Sequence, residues 1–164
     1  MKNKFNQVKS LLEERKFFYT PTPIKNEGIT RGYQEGQAYR LLKENGFYYM
    51  KPVIRMMSGD VNKYYDKQDR PIIANGVYIF VILCNEEYTV FCMKPERRCG
   101  HISISKGKDI YYAGEIFFNL GKIEYWNNAS GHYCPLAEIN RSNIHPELRS
   151  ILPINLFKKF TTGN

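Results

Sequence analysis

The chain has 164 residues, of which 43% are hydrophobic and 15% aromatic, and its formal net charge is +8. This length favours one domain whose core needs no metal or disulfide staple. No apolar run approaches the ~20 residues that cross a bilayer, so we expect no transmembrane segment. The positive charge favours nucleic acid, phosphate-bearing ligands or acidic membranes as partners, although a basic solvated surface has the same composition.

The N-terminal part of the chain predicts two helices. Residues 2–18 place apolar side chains at helical spacing and predict an amphipathic helix that docks on the core. A proline-containing segment ends this helix, because each proline disfavours the α conformation in the residue before it. Residues 34–45 predict a second helix, with Gly46 as its C-terminal stop. The apolar stripe of this second helix would be Ala38, Leu41 and Leu42.

Strand-forming residues dominate the next segment. Residues 47–57 are rich in aromatic and β-branched side chains, and Pro52 within them indicates an edge position or a bulge. Residues 62–74 predict further strand structure, interrupted at 67–71 by what has the composition of a hairpin loop.

The strongest strand signal is the continuous apolar run at residues 77–83. Its length and composition predict a central strand that is covered on both faces, within a strand at 76–83. Residues 88–93 predict a strand that returns beside it. Strands at 110–118 and 122–126 form a hairpin around the turn Asn119-Leu-Gly121. Helical patterns return after Pro135, and Pro146 suits the first position of a helical turn.

Candidate functional residues concentrate between Gly100 and Pro135. Residues 101–105, with the sequence HISIS, predict a strand that places His101, Ser103 and Ser105 on one polar face, while the two isoleucines enter the core. A basic turn follows, and Glu115 lies at the opening of the hairpin. The segment ends at a turn that presents two rings. The candidate catalytic residues are His101, Ser103, His132 and Tyr133, and the candidate binding residues are Ser105, Lys106, Lys108, Glu115 and Ser130.

Residues 76–135 resemble a module at the C-terminal end of plant IQ-motif-containing calmodulin-binding proteins, and related segments of bacterial effectors and polymorphic-toxin-like proteins. Ile102 and Tyr112 depart from its usual serine and alanine, and the chain has no IQ motif, so calmodulin binding is not implied. The resemblance implies a shared domain and a bacterial effector or toxin setting. The matching residues are His101, Ser103, Gly107, Ala113, Gly114, Gly121, Ser130, Gly131, His132, Tyr133 and Pro135.

Three functions compete at this stage. In a metal-independent nuclease or phosphodiesterase, two histidines would act as general base and acid, and Lys106 or Lys108 would stabilise the phosphorane charge. In an ADP-ribosyltransferase, Glu115 or Glu124 would supply the acid. In a non-catalytic module, basic and aromatic side chains would hold RNA, another phosphate-bearing ligand, or a host or immunity protein.

No cofactor or metal is predicted, because the histidines and the four cysteines fit no common ligand spacing. The cysteines are expected to be reduced thiols. The N-terminal residues lack an apolar signal-peptide core, so we expect synthesis in the cytoplasm without a Sec signal. Delivery by a specialised secretion system is the setting that the resemblance implies.

We therefore expect a single α+β domain built on a mainly antiparallel, twisted sheet with flanking N- and C-terminal helices. Residues 1–46 would be a helical segment, 47–135 the sheet with the candidate site, and 136–164 a second helical segment.

Overall fold

The structure is a computed structural model that describes residues 19–26, 35–58, 61–96 and 99–161. The helix expected at residues 2–18 lies outside them. The described residues form nine strands in one sheet, in the order β3-β2-β1-β6-β5-β7-β8-β9, with β4 beside β2. The expectation of a mainly antiparallel sheet is confirmed, since only β8 and β9 pair in parallel in this part of the chain. The strands are β1 Ala38–Glu44, β2 Phe47–Ser58, β3 Val61–Asp66, β4 Ile72–Ile73, β5 Gly76–Leu83, β6 Phe91–Met93, β7 Ile110–Asn119, β8 Lys122–Asn127 and β9 Phe157–Lys158.

The helix predicted at residues 34–45 is wrong, because this segment contains strand β1. Ala38 and Leu41 are three residues apart, a spacing that places them on one helix face but on opposite faces of a strand. Both are buried, each in a different one of two apolar clusters. Asn45 and Gly46 have φ values of 52° and 81° and form a two-residue hairpin turn to β2. Gly46 therefore supplies a turn residue rather than a helix stop.

Strand β2 agrees with the prediction for residues 47–57, but the hairpin loop predicted at 67–71 is wrong. Strands β3 and β4 do not pair with each other, and both lie along the same edge of β2. Pro52 lies between the part of β2 that pairs with β4 and the part that pairs with β3. Its carbonyl accepts a hydrogen bond from the Lys67 amide at 2.9 Å. The missing N–H of this proline thus falls at a break in the ladder.

Strand β5 is the predicted central strand, covered on both faces. Ile79, Val81 and Leu83 enter one apolar cluster. Tyr78, Phe80 and Ile82 enter the other cluster, which also contains Trp126 and Ile144. A strand with two covered faces reads as a continuous apolar run, which explains why the sequence identified it correctly.

The strand predicted at residues 101–105 is wrong, because these residues form a short helix, α1 (His101–Ser105). Gly100 precedes its first turn, and Lys106, with φ 55°, ends it in the left-handed conformation. All five residues of α1 are buried, and Ile104 packs into the same cluster as Val81. The predicted strand face shared by His101, Ser103 and Ser105 therefore does not form.

The C-terminal segment covers the opposite face of the sheet with short helical turns. Helix α2 (Asn140–Asn143) is flanked by 3-10 turns, and Pro146 begins one of them, as predicted. Ile144, Leu148 and Leu152 carry this segment into the core. None of the described helices has the length and apolar character needed to cross a bilayer.

The sheet curls so that its two hairpin turns meet. The Tyr48 amide donates to the Gly121 carbonyl at 2.8 Å, and the Gly121 amide donates to the Ala74 carbonyl at 2.8 Å. A Cβ on Gly121 would lie 3.0 Å from side-chain atoms of both Phe47 and Ile73. The β7–β8 turn is thus held against β2 and the end of β4.

Candidate functional site

Candidate residues that precede β7 in the sequence meet candidate residues that follow β8, beneath the loop Lys106–Asp109. The Tyr133 hydroxyl lies 2.6 Å from Ser105 Oγ and donates to the Lys108 carbonyl at 2.8 Å. Because a carbonyl oxygen can only accept a hydrogen bond, the Tyr133 hydroxyl donates its one proton to the Lys108 carbonyl. The Ser105 hydroxyl therefore donates its own proton to the Tyr133 oxygen. The Gly107 amide donates to Ser105 Oγ at 3.3 Å. Both hydroxyl protons are therefore committed to holding this loop.

His101 is a buried, neutral side chain. Its Nε2 lies 2.8 Å from the Gly114 carbonyl oxygen, which fixes the proton on Nε2 and leaves the lone pair on Nδ1. Burial is the main cause that lowers the pKa of His101 to about 4, and the neighbouring His132 lowers it further. His101 is thus uncharged near neutral pH, which suits it poorly to act as a general acid.

His132 is half-buried and contacts Asn26, a residue that the sequence did not single out. Its Nε2 meets Asn26 Oδ1, while Asn26 Nδ2 donates to the Gly107 carbonyl at 3.3 Å. The second bond orients the amide, so His132 donates through Nε2. The His132 ring also packs edge-on against Tyr133, with 4.9 Å between ring centroids. Asn26 therefore ties the described segment 19–26 both to His132 and to the loop.

The two remaining serines act as local turn caps. Ser103 Oγ accepts a hydrogen bond from the Gly100 amide at 3.1 Å, within the first turn of α1. Ser130 Oγ accepts from the Tyr133 amide at 3.2 Å, and the Cys134 amide donates to the Ser130 carbonyl at 2.9 Å. The 130–133 turn is thus present as predicted, and Ser130 stabilises it through its side chain and its backbone.

Glu115 lies beside a close backbone approach. A Cβ on Gly114 would lie only 1.9 Å from the Asn127 carbonyl oxygen, which confirms that this glycine permits the approach. Asn127 Oδ1 accepts from the Glu115 amide at 2.9 Å, and Asn127 Nδ2 donates to Glu115 Oε1 at 3.2 Å. Glu115 therefore participates in the pairing of β7 with β8.

A cleft of about 440 Å³ opens above the other side of the loop. Residues 104–109 form one wall, and side chains from β2, β3 and the end of β5 form the remainder. Three of the lining residues are cationic and one is acidic, so the cleft carries a net positive charge. The lining residues with polar side chains are Arg55, Tyr64, Cys84, Asn85, Ser105, Lys106, Lys108 and Asp109.

The two lysines of the loop differ in their surroundings. Lys106 Nζ lies 2.9 Å from Glu35 Oε1, and its side chain is 8% exposed. The hydrogen bond and the charge of Lys106 lower the pKa of Glu35. Lys108 is exposed at the mouth of the cleft. Lys106 thus helps to anchor the loop, while Lys108 is accessible to a ligand.

Buried asparagines hold the segments around the site, and the sequence did not reveal them. Asn143 Nδ2 donates to the Thr22 and Tyr111 carbonyls at 2.9 and 2.8 Å. Asn128 Oδ1 accepts from the Phe160 amide at 2.8 Å. An asparagine in a loop is ordinarily a turn residue. Its role in holding distant segments together is visible only from its hydrogen-bond partners in the structure.

No metal site was expected, and within the described ranges no three His, Cys, Asp or Glu side chains gather to hold a metal ion. None of the four cysteines is paired in a disulfide, and Cys134 is exposed. Comparison with protein families, with curated proteins and with solved structures gave no match.

Proposed function

We propose that this protein is a binding module for a phosphate-bearing ligand, which occupies the basic cleft above the loop Lys106–Asp109. The observation that carries the proposal is the position of the 440 Å³ cleft, whose wall includes Arg55, Lys106 and Lys108. Its size matches that of small-molecule sites, and its cations suit a phosphate group.

The hydrogen bonds around Ser105 and Tyr133 support a scaffold role for the histidine and hydroxyl cluster. A general acid needs a proton that it can give to the substrate, and a hydroxyl nucleophile needs a base that takes its proton. Here the Ser105 and Tyr133 protons are used within the protein, and His101 donates to a backbone carbonyl. These groups give the cleft a wall of fixed shape, which favours binding over catalysis.

The two-histidine nuclease is the weaker alternative. The charge of His132 contributes to the lowered pKa of His101, so the two groups interact electrostatically. However, the donor bonds of both rings go to protein oxygens, and burial of His101 disfavours the charged form that a general acid requires. For an ADP-ribosyltransferase, the bond between Glu115 and Asn127 is similarly unfavourable, because it engages the carboxylate needed for catalysis.

The nature of the ligand follows from the cleft wall. Lys108 and Arg55 supply positive charge, and Tyr64 contributes an aromatic ring to the same wall. Phosphate with an attached flat group, as in a nucleotide or single-stranded RNA, matches this combination. The effector setting implied by the Ser130–Pro135 ending is part of the proposal and rests on the motif resemblance alone.

The test is binding of two probes, pyrophosphate by calorimetry and a labelled single-stranded RNA of about ten nucleotides by fluorescence anisotropy. Lys108→Glu is expected to weaken binding at least about tenfold, because it reverses a charge at the mouth of the cleft. Lys159→Glu is the matched control, since this lysine is exposed and does not line the cleft. It should change affinity by less than about twofold.

Binding of pyrophosphate alone would identify a small ligand, and binding of RNA alone a polynucleotide. Equal losses in both variants would mean non-specific attraction by net charge and would overturn the proposal. So would the absence of binding to both probes. Cleavage of the RNA by the wild type, lost in His132→Ala, would replace binding with the two-histidine reaction.

A further inference from the structure

Large apolar side chains cluster at the end of the sheet opposite the cleft. We call this group, Phe47, Ile73 and Leu120, the apolar tip; its members are 38%, 44% and 64% exposed. Strand β5 separates the two ends, since Gly76 begins it next to the tip and Leu83 ends it in the cleft wall. The tip is therefore independent of the ligand site proposed above.

The apolar tip is built from two hairpin turns and the end of β4. The turn Leu120–Gly121 lies against Phe47 and Ile73, since a Cβ on Gly121 would be 3.0 Å from side-chain atoms of both. The Leu120 amide donates to Asn75 Oδ1 at 2.9 Å, which fixes the turn to the loop after β4. The protruding apolar side chains therefore belong to one rigid surface.

The conformation of Leu120 is unfavourable for the fold. Leu120 and Gly121 have φ values of 45° and 85°, the conformation of a type I′ turn, whose first position favours Asn, Asp or Gly. The neighbouring β1–β2 turn uses the favoured pair Asn45-Gly46 at similar angles. Leucine at the apex disfavours this left-handed backbone conformation, and its exposed side chain gains little from burial. The folded chain alone therefore does not account for its presence.

Lysines border the apolar tip. Lys122 Nζ lies 4.1 Å from the centroid of the Phe47 ring and 3.5 Å from the Gly46 carbonyl oxygen. Lys94 Nζ donates at 2.6 Å to the carbonyl of Asn75, the residue that also holds Leu120. Glu44 faces Phe47 across the hairpin and is the acidic residue of this turn. Exposed apolar side chains beside lysines match an anionic bilayer surface, where apolar groups enter the headgroup region and cations meet lipid phosphates.

We propose that the apolar tip docks this protein on the surface of an anionic membrane. Leu120, Ile73 and Phe47 enter the boundary between headgroups and acyl chains, and Lys122 and Lys94 contact anionic headgroups. The protruding hairpin apex suits insertion into a fluid interface, whereas a partner peptide would require a groove. A second copy of the chain is the alternative occupant, and it is one outcome of the test.

The test is co-sedimentation of the full chain with vesicles of phosphatidylcholine, with and without about one third phosphatidylserine. The wild type is expected to bind the anionic vesicles more strongly than the neutral ones, and salt should weaken binding. Leu120→Asn keeps the turn conformation and removes the apolar apex, so it should weaken binding by about tenfold. Leu136→Asn is the control, because Leu136 is also 64% exposed but lies outside the tip. It should leave binding unchanged.

Three results would overturn the proposal. The first is failure of the wild type to bind anionic vesicles. The second is an equal loss of binding in Leu120→Asn and Leu136→Asn. The third is self-association of the wild type in sedimentation velocity that Leu120→Asn abolishes, which would assign the tip to a second copy. None of these results bears on the cleft, where Lys108→Glu tests the ligand site separately.

Discussion

The Tyr133 hydroxyl lies 2.6 Å from Ser105 Oγ, and it joins the end of α1 to the turn that follows β8. Its onward bond to the Lys108 carbonyl closes a three-member chain beneath the cleft. Tyr133, predicted as a catalytic residue, and Ser105, predicted as a binding residue, thereby hold the loop Lys106–Asp109 in place.

Tyr133→Phe should lower the free energy of unfolding by about 1–3 kcal/mol, because it leaves a buried hydroxyl and a carbonyl without a partner. Urea unfolding of the purified variant measures this change. Tyr65→Phe is the control, since Tyr65 is 47% exposed. It should change the free energy of unfolding by less than about 0.5 kcal/mol. An unchanged stability for Tyr133→Phe would remove the structural role and return Tyr133 to the list of reactive groups.

Gly114→Ala should be severely destabilising. The added Cβ would lie 1.9 Å from the Asn127 carbonyl oxygen, so β7 and the end of β8 must separate at this point. We expect a loss on the order of 3 kcal/mol or more, measured by urea unfolding. Gly131→Ala is the matched control, because a Cβ at Gly131 meets nothing within 4 Å. A soluble Gly114→Ala protein as stable as Gly131→Ala would contradict the close approach.

The buried His101 should make folding stability depend on pH. Its pKa is lowered to about 4 in the folded chain, whereas an unfolded histidine titrates near ~6.5. Between these values the unfolded state binds more protons, so stability rises with pH up to about 6.5 and falls as the pH drops toward 4. The loss between roughly pH 7 and roughly pH 5 should be about 2 kcal/mol.

Urea unfolding of the wild type and His101→Gln at these two pH values isolates the contribution of His101. The variant should lose less stability on acidification than the wild type, because glutamine does not titrate. An identical pH dependence in both proteins would mean that His101 is protonated as easily in the folded chain as in the unfolded one.

Leu120→Asn should stabilise the isolated protein. Asparagine adopts the left-handed conformation at lower cost than leucine, so we expect a gain of about 0.5–1 kcal/mol in urea unfolding. The reciprocal change Asn45→Leu, at the equivalent position of the β1–β2 turn, should destabilise by a similar amount. A loss of stability in Leu120→Asn would show that the leucine serves the fold and would weaken the case for membrane docking.

The four thiols should react with an alkylating reagent at very different rates. Cys134 is exposed, whereas burial raises the pKa of Cys84 to about 11 and also raises the pKa of Cys92 and Cys99. One thiol per chain should therefore react at least about tenfold faster than the others. Mass spectrometry of the labelled protein should place the fast label on Cys134, and Cys134→Ser should abolish it. A fast phase that survives in this variant would mean that a buried thiol becomes accessible.

Strands that bury both faces or carry a clear turn were predictable from the sequence. The apolar run of β5 has only one plausible strand interpretation, and the Asn119-Leu-Gly121 turn locates the β7–β8 hairpin. The 130–133 turn was predictable for the same local reason. In these segments the information that decides the structure lies within about ten residues.

The errors arose where distant contacts decide the structure. The spacing of Ala38 and Leu41 also fits one face of a helix. It fits a strand only because apolar clusters cover both faces of the sheet, so that both residues can be buried. Residues 101–105 alternate polar and apolar side chains, but the sheet, Gly100 and the left-handed Lys106 enclose them in a helical turn. The bond between Asn143 and Thr22 spans 121 residues, a distance over which no local pattern carries information.

Strand β5 also sets a distance between the two ends of the molecule. The seven steps between its eight residues, at ~3.3 Å each, separate the Gly76 end from the Leu83 end by about 23 Å. Counterions in physiological salt damp electric fields within ~8 Å, so lipid charge at one end does not compete for an anion at the other. The cleft ligand and the bilayer should accordingly be held at once, with each affinity unaffected by occupancy of the other end.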